Sequence, residues 1–357
     1  MSQRIPVAVL GATGTVGQKF VRLLAEHPWF ELAAVAASSA SAGRTYAEAT
    51  RWREPIPMPP EVGRLIVREC VPPSPGPIVF SALEAEVAGP IEQAFAASGA
   101  IVVTNTRTHR MDPDVPLLIP EVNEDHLSLV DCQRQSRGWD GAILANPNCS
   151  TAALALALAP LHRAFTIERL FVSTMQAISG AGYPGVASLD IVGNVIPFIA
   201  GEEEKIERES RKILGTLASG AVEPSHFFLS VHANRVPVVD GHMATLSVGF
   251  RQKTDPAQAV EALRAFRGSP RVCQLPSSPV PPIEVDERID RPQSRLDADR
   301  GAGMAVSVGR VRPCTVLDLR MVVLGHNTVR GAAGQAVQIA ELLVADGRVA
   351  QAAGRSR

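Results

Sequence analysis

The chain has 357 residues, of which 46% are hydrophobic and 20% charged, enough apolar material for two cores and too much for a disordered chain. Its formal net charge of -1 leaves no basic field for nucleic acid or an anionic membrane, so a small-molecule partner is expected. The five cysteines, at 70, 132, 149, 273 and 314, include no C-x-x-C pair, which argues against a metal site and for reduced thiols.

The N-terminus runs straight into an apolar strand, without the basic start and small-residue cleavage site of a signal peptide. The most apolar stretch, 151–160, is about half of the roughly 20 residues a membrane helix needs. A cytoplasmic location is expected. The first strand, 5–10, is followed at once by Gly11-Ala12-Thr13-Gly14-Thr15-Val16-Gly17 and by helical periodicity through Phe20, Val21, Leu23 and Leu24. Strand, glycine turn and helix in that order suit a dinucleotide: the turn lets the backbone approach a pyrophosphate and the helix start offers it amide donors. An ordinary tight turn is the plain alternative, since the spacing is G-x-x-G-x-x-G and not G-x-G-x-x-G.

A second strand over 31–37 runs into Ser38-Ser39-Ala40-Ser41-Ala42-Gly43-Arg44. No acidic side chain stands where NAD enzymes hold the ribose hydroxyls, and Ser38, Ser39, Ser41 and Arg44 suit a 2′-phosphate, so NADP is expected over NAD. Residues 53–77 are proline-rich and read as a connecting loop without chemistry. Strands over 77–82, which carries Ser81, and 101–104 enclose a helix over 85–98. This rhythm predicts an α/β fold whose N-terminal domain is a Rossmann-type doubly wound parallel sheet.

The next segment, Asn146-Pro147-Asn148-Cys149-Ser150-Thr151, leads into an apolar helix-forming run at 152–158. A thiol at a helix start is pulled below its usual pKa of about 8.5 by the helix dipole and the free amides, and becomes a nucleophile. Those amides, with the Asn148 side chain, suit an oxyanion. The plain alternative for Cys149 is a small buried hydrophobe.

This segment resembles the nucleophile motif of aspartate-semialdehyde dehydrogenases. Three further segments resemble that family in the same order, over nearly the whole chain: Thr174-Met175-Gln176-Ala177-Ile178-Ser179-Gly180-Ala181-Gly182-Tyr183-Pro184-Gly185, then Arg235-Val236-Pro237-Val238-Val239-Asp240-Gly241-His242, then His326-Asn327-Thr328-Val329-Arg330-Gly331-Ala332-Ala333-Gly334. Their details are most similar to the archaeal and fungal branch. The resemblance implies a thioester mechanism on Cys149, with His242 as acid and base and Gln176 positioning the acyl group. It implies that Arg235 holds the substrate α-carboxylate and that Glu202, or its neighbour Glu203, holds the amino group beside Asn148. Lys205 and Arg110 fall to phosphate. Ser81, the loop of Ser179, Gly180 and Gly182, and Asn327 fall to the NADP side.

The implied reaction is reversible NADPH-dependent reductive dephosphorylation of L-aspartyl 4-phosphate to L-aspartate 4-semialdehyde, in lysine, threonine and methionine biosynthesis. No metal is called for. Arg235 precedes His242 by seven residues, an odd number, so on one continuous strand the two would face opposite ways. A bend at Pro237 or Gly241 is needed. The implied domains are 1–148, completed by a C-terminal helix within 326–357 that returns to the first domain, and an α+β catalytic and dimerisation domain, 149–325, with an antiparallel or mixed sheet. A homodimer or homotetramer follows. The sequence departs from the family at Thr106-Arg107-Thr108, at Met243-Ala244 and at Gly325. Malonyl-CoA reductase is the nearest enzymatic alternative, N-acetyl-glutamyl-phosphate reductase a more distant one, and a non-catalytic NADP-sensing protein the alternative from another class. Malonyl-CoA offers no amino group to a Glu202 carboxylate.

Overall fold

Residues 4–349 are described by the computed structural model. Two compact units emerge among these residues, one comprising 4–118, His126–Asn146 and 336–349, the other Ile119–Asp125 and Pro147–Gln335.

In the first unit six parallel strands form one sheet: β1 (Ile5–Leu10), β2 (Phe30–Ala37), β3 (Arg68–Glu69), β4 (Ile78–Ser81), β5 (Ile101–Thr104) and β6 (Ala142–Ala145), ordered β3-β2-β1-β4-β5-β6. Strands β4, β5 and β6 and the carboxyl halves of β1 and β2 are largely apolar runs buried on both faces, as parallel sheets with helical crossovers require. Chain order reverses between β1 and β4, and in such sheets ligands bind beyond the carboxyl ends of the strands at that reversal. The glycine turn leaves β1 there and Ser81 ends β4 there. The segment 53–77, expected as plain loop, contains the helix Pro60–Gly63 and the edge strand β3, which pairs with the end of β2. Two exposed residues carry no periodicity, so nothing in the sequence marks them.

The second unit is built on a mixed sheet of β7 (Ile167–Gln176), β10 (Phe228–Arg235), β11 (His242–Phe250), β12 (Ile283–Asp286), β13 (Val306–Pro313) and β14 (Leu319–Gly325), ordered β10-β7-β11-β14-β13-β12. A small hairpin, β8 (Thr216–Ala218) with β9 (Ala221–Glu223), lies apart from it. The helix Cys149–Phe165 packs on β7, β11, β13 and β14 and is apolar nearly all round, so it is buried along almost its whole length. Strand β7 alternates, with Leu170, Val172 and Thr174 buried and Arg169 and Phe171 exposed, the mark of a sheet covered on one face only. Gly325, one of the departures from the family, has its physical reason here: a Cβ would come within 2.6 Å of Ala153 Cβ in the covering helix.

The C-terminal helix, expected over 327–344, is observed as a π-helical turn Val329–Ala333 followed by the α-helix Gly334–Ala345. Asn327 therefore precedes the helix. Residues 350–357 of the expected C-terminal segment lie outside the described residues. Among the described residues no helix is long and apolar enough to cross a membrane, and no cluster of three or more His, Cys, Asp or Glu could hold a metal ion. All five cysteines are free thiols.

Candidate active site

Cys149 opens its helix, and Asn148 is the cap. Asn148 Oδ1 accepts from the Ser150 and Thr151 amides at 2.9 and 3.2 Å, while Asn148 Nδ2 donates to Glu202 Oε1 at 2.8 Å. The Asn148 amide itself donates to Glu209 Oε2 at 2.6 Å. This narrows one expectation: the Ser150 and Thr151 amides and one of the two Asn148 Nδ2 protons are already engaged, and the second Nδ2 proton is the one that could serve an oxyanion. Capping satisfies the orphan amides of the first turn and fixes where the helix begins.

Glu202 and Glu209 are seven residues apart on the helix Glu202–Ile213, hence on one face, and both are buried. Lys205 Nζ donates to Glu202 Oε2 at 3.3 Å. The neighbouring Glu203 turns the other way and accepts from the Ala233 amide of β10 at 2.9 Å. Of the two candidate carboxylates, only Glu202 is bonded to the cap of the nucleophile helix. Glu209 was missed in the sequence, although the i, i+7 spacing from Glu202 was there to be read.

Arg235 and His242 end one strand and begin another, so the bend required by their odd spacing is the link 236–241. Gly241 closes it with φ +92, a left-handed conformation that favours glycine. Strands β10 and β11 lie on either side of β7, and the end of β7 ties both residues to Ala177. Arg235 Nη1 donates to the Ala177 carbonyl at 2.7 Å, and the Ala177 amide donates to His242 Nδ1 at 3.0 Å. Gln176 is buried at the end of β7 with Nε2 3.3 Å from Thr174 Oγ1. Burial lowers the Arg235 pKa, and the nearby Cys149 and Glu202 charges oppose that shift.

Because Nδ1 of His242 accepts a backbone proton, the neutral ring carries its own proton on Nε2. Burial, and then the charges of Arg235 and His326, pull its pKa down to about 3. Nε2 is buried and has no hydrogen-bond partner among the described residues. It lies against Gly180, whose missing side chain matters: a Cβ there would stand 2.9 Å from His242 Nε2 and 3.0 Å from Arg235 Nη1.

Asn327 braces this arrangement by donating from Nδ2 to Ser179 Oγ at 2.7 Å and accepting at Oδ1 from the Gly241 amide at 2.9 Å. Gly331 presses on the nucleophile from the same C-terminal motif, with room for no Cβ, since Cys149 Cβ is 2.6 Å from where one would sit. The turn holding Gly331 is anchored by Arg330, fully buried, which donates to both Glu121 oxygens at 2.7 and 3.1 Å and to the Met304 carbonyl at 2.6 Å. Sequence reasoning missed that anchor, since Arg330 and Glu121 lie 209 positions apart.

In the first unit the glycine turn is shaped for a close approach. A Cβ at Gly17 would fall 2.1 Å from the Gly11 carbonyl. Gly14 caps the helix Thr15–Ala25 without a side-chain bond, and its first turn holds no acidic residue. Thr13, Thr15 and Val16 complete the turn. Ser38, Ser39 and Ser41 follow β2 in a polar turn, and Arg44 Nη2 donates to the Glu48 carbonyl. An uncapped, acid-free helix start and an acid-free β2 tip fit a phosphorylated dinucleotide. Arg110, buried, donates from Nη2 to the Asn105 carbonyl at 2.7 Å.

Comparison with known proteins agrees with this reading. The profile for the semialdehyde dehydrogenase NAD binding domain matches residues 6–130, and that for the semialdehyde dehydrogenase dimerisation domain matches residues 158–330. The chain is 49% identical to an aspartate-semialdehyde dehydrogenase of Methanothermobacter thermautotrophicus, over 95% of this chain and 99% of the relative. It is 47% identical to one of Schizosaccharomyces pombe, over 96% and 98%. The crystal structure of the Candida albicans enzyme with NADP superposes with a TM-score of 0.90 at 41% identity, covering 97% of this chain and 100% of that one. The aspartate semialdehyde dehydrogenase II of Vibrio cholerae complexed with ASA follows at 0.76 and 28%, covering 97% and 99%.

Proposed function

The chain belongs to the semialdehyde dehydrogenase family, and from that premise we propose that it interconverts L-aspartate 4-semialdehyde with L-aspartyl 4-phosphate, using NADP and inorganic phosphate. In the biosynthetic direction aspartyl phosphate is reduced, a step toward lysine, threonine and methionine. The observation that carries the proposal is the arrangement around Cys149: a capped helix start with Glu202 bonded to its cap, and Arg235 and His242 fixed to one residue, Ala177.

In the oxidative direction the Cys149 thiolate adds to the aldehyde carbon, a C–S bond forms, and the carbonyl electron pair moves to oxygen. His242 donates from Nε2–H to that oxygen, in place of the Ser150 and Thr151 amides that the cap has taken and alongside the second Asn148 Nδ2 proton. Bound NADP supplies the hydride acceptor, and its reduced form the donor in reverse. Phosphate then attacks the thioester carbon, and the C–S bond breaks to return the thiolate. His242 keeps its proton throughout, because a second proton would have to enter at Nδ1, where the Ala177 amide already points. A standing donor thus takes the place of the acid and base that the resemblance implies.

Arg235 suits the α-carboxylate with its planar fork. Glu202 suits the α-ammonium, a group that malonyl-CoA lacks, and Glu203 is otherwise engaged. Lys205 and Arg110 are assigned to phosphate, Gln176 to the acyl group, and Ser179, Gly180, Gly182 and Asn327 to the nicotinamide end of NADP. Ser81 and the glycine turn take the pyrophosphate end, with Ser38, Ser39, Ser41 and Arg44 toward the 2′-phosphate. The chain carries a dimerisation domain, and we assign its open sheet face, where Phe171 and Phe228 are exposed, to a homodimer or homotetramer. Light scattering that finds only monomer overturns that assignment.

The test is phosphate-dependent reduction of NADP by the purified protein with L-aspartate 4-semialdehyde, run beside malonyl-CoA with NADPH and beside Cys149→Ala. Turnover confined to the semialdehyde and abolished in the variant is expected. Turnover with malonyl-CoA alone overturns the substrate assignment, and normal turnover by Cys149→Ala overturns the thioester.

A further inference from the structure

The turn that carries Arg110 is strapped to the helix Ala85–Ala97 by the residues ahead of that arginine. Ahead of it, Glu92, fully buried in that helix, accepts from Thr104 Oγ1 at 2.6 Å and from Thr106 Oγ1 at 3.5 Å. The Thr106 amide donates to Thr104 Oγ1 at 3.0 Å, so the chain leaving β5 is bound to the helix through two hydroxyls. Directly before Arg110, His109 is buried with Nδ1 2.8 Å from Asp112 Oδ2 and Nε2 3.8 Å from Glu92 Oε2. Asp112 is held in turn by Arg137, whose Nη2 donates to it at 3.2 Å and whose Nε and Nη2 grip Asp114 at 2.5 and 2.6 Å.

Carboxylate and base therefore alternate along Glu92, His109, Asp112 and Arg137. Glu92 Oε2 and His109 Nε2 are both buried, face each other, and have no hydrogen-bond partner among the described residues. A buried pair of this kind stabilises a fold less than an apolar pair of the same volume, and what it adds is a fixed geometry. The residue fixed here is the next in the chain. Arg110 follows His109 directly, and its side chain folds back to the Asn105 carbonyl at 2.7 Å.

We propose that Glu92 and His109 are positioning residues for the phosphate step, holding the 105–110 turn so that the Arg110 guanidinium meets the phosphate oxygens in a preset orientation. The inference rests on the assignment of Arg110 to phosphate made above. It concerns neither the thiol chemistry nor hydride transfer, so its signature is selective.

The experiment measures kcat together with separate KM values for inorganic phosphate, NADP and the semialdehyde, in the full-length protein carrying His109→Ala, His109→Gln, Glu92→Ala, Glu92→Gln or Arg110→Ala. For the two alanine variants at 92 and 109 the KM for phosphate is expected to rise about tenfold, the scale of one lost charge-assisted hydrogen bond. The kcat at saturating phosphate and the KM for NADP stay within about twofold, and the glutamine variants, which keep a hydrogen-bonding group, recover most of the loss. Should Arg110→Ala raise the phosphate KM while His109→Ala and His109→Gln leave it unchanged, the positioning role is refuted and the Arg110 assignment survives. An unchanged phosphate KM in Arg110→Ala removes both. If Glu92→Ala does not fold, the two His109 variants decide alone. A fall in kcat with every KM altered alike, unrelieved by glutamine, makes the strap merely structural and overturns the proposal.

Discussion

Replacing Gly180 by alanine tests the site where His242 and Arg235 converge. Gly180 lies in the 3-10 turn Ile178–Ala181 with an unexceptional φ, so the backbone accepts alanine and the perturbation is the methyl group alone. Its Cβ would stand 2.9 Å from His242 Nε2 and Cε1 and 3.0 Å from Arg235 Nη1, whereas ordinary contact begins at 3.4 Å. The imidazole must then retreat by at least 0.5 Å, the difference between 3.4 and 2.9 Å. It has little freedom to do so, because Nδ1 is held by the Ala177 amide at 3.0 Å, and Arg235 is held by the Ala177 carbonyl at 2.7 Å. A 1 Å misplacement of a reacting group costs on the order of 100-fold, so half of that predicts a fall in kcat of roughly tenfold. Overpacking should cost about 1 kcal/mol of stability, at the low end because both neighbours are side-chain ends. Steady-state kinetics with the semialdehyde separates the two contacts: a displaced His242 lowers kcat, and a displaced Arg235 raises the semialdehyde KM. Wild-type values for both, within twofold, would refute the placement of His242 and Arg235 around a common substrate.

Gly331→Ala is expected to be harsher, because its Cβ would fall 2.6 and 2.7 Å from Cys149 Cβ and Cα, and backbone does not yield as a side chain does. A loss of about 3 kcal/mol in thermal or urea unfolding is predicted, with alkylation of Cys149 by iodoacetamide slowed; an unchanged melting temperature and unchanged alkylation contradict it. For His242 the folded pKa of about 3 lies below the ordinary 6.5, so between those values the unfolded chain binds a proton that the folded one refuses. Stability from this group is therefore full above pH 6.5 and is lost as pH falls toward 3, by at most about 5 kcal/mol. His242→Gln should flatten that acid limb in urea titrations, and an identical limb in variant and wild type would show that His242 is not held neutral. Arg44→Ala should raise the KM for NADP about tenfold, as expected for one lost charge-assisted contact, and leave that for NAD unchanged; equal effects on the two cofactors would dissociate Arg44 from the 2′-phosphate.

The features legible in the sequence are those written over a few consecutive residues. A strand, a glycine turn and a helix occupy residues 5–25 without interruption, and the helix start at Cys149 is signalled by Asn148 just before it, because capping is an interaction between residues two and three apart. The parallel rhythm of the first sheet was likewise expected, since burial on both faces imposes apolar runs, whereas for the second sheet the expectation stood open between antiparallel and mixed, and the parallel pairs β10 with β7 and β12 with β13 make it mixed. Beyond that range the sequence was silent. The choice of Glu202 over Glu203 depends on which face of their helix meets the cap of another, and the engagement of Asn148 Nδ2 by Glu202 spans 54 positions. Arg235 and His242 are gathered on Ala177 because β10 and β11 both pair with β7, and pairing register is a property of the whole sheet. The same holds for Gly180 and Gly331, whose need to be glycine arises from the approach of distant chain. Local chemistry is set by neighbours in sequence, whereas the orientation of His242 and the donors left free for an oxyanion are set by long-range packing, which only the folded chain decides.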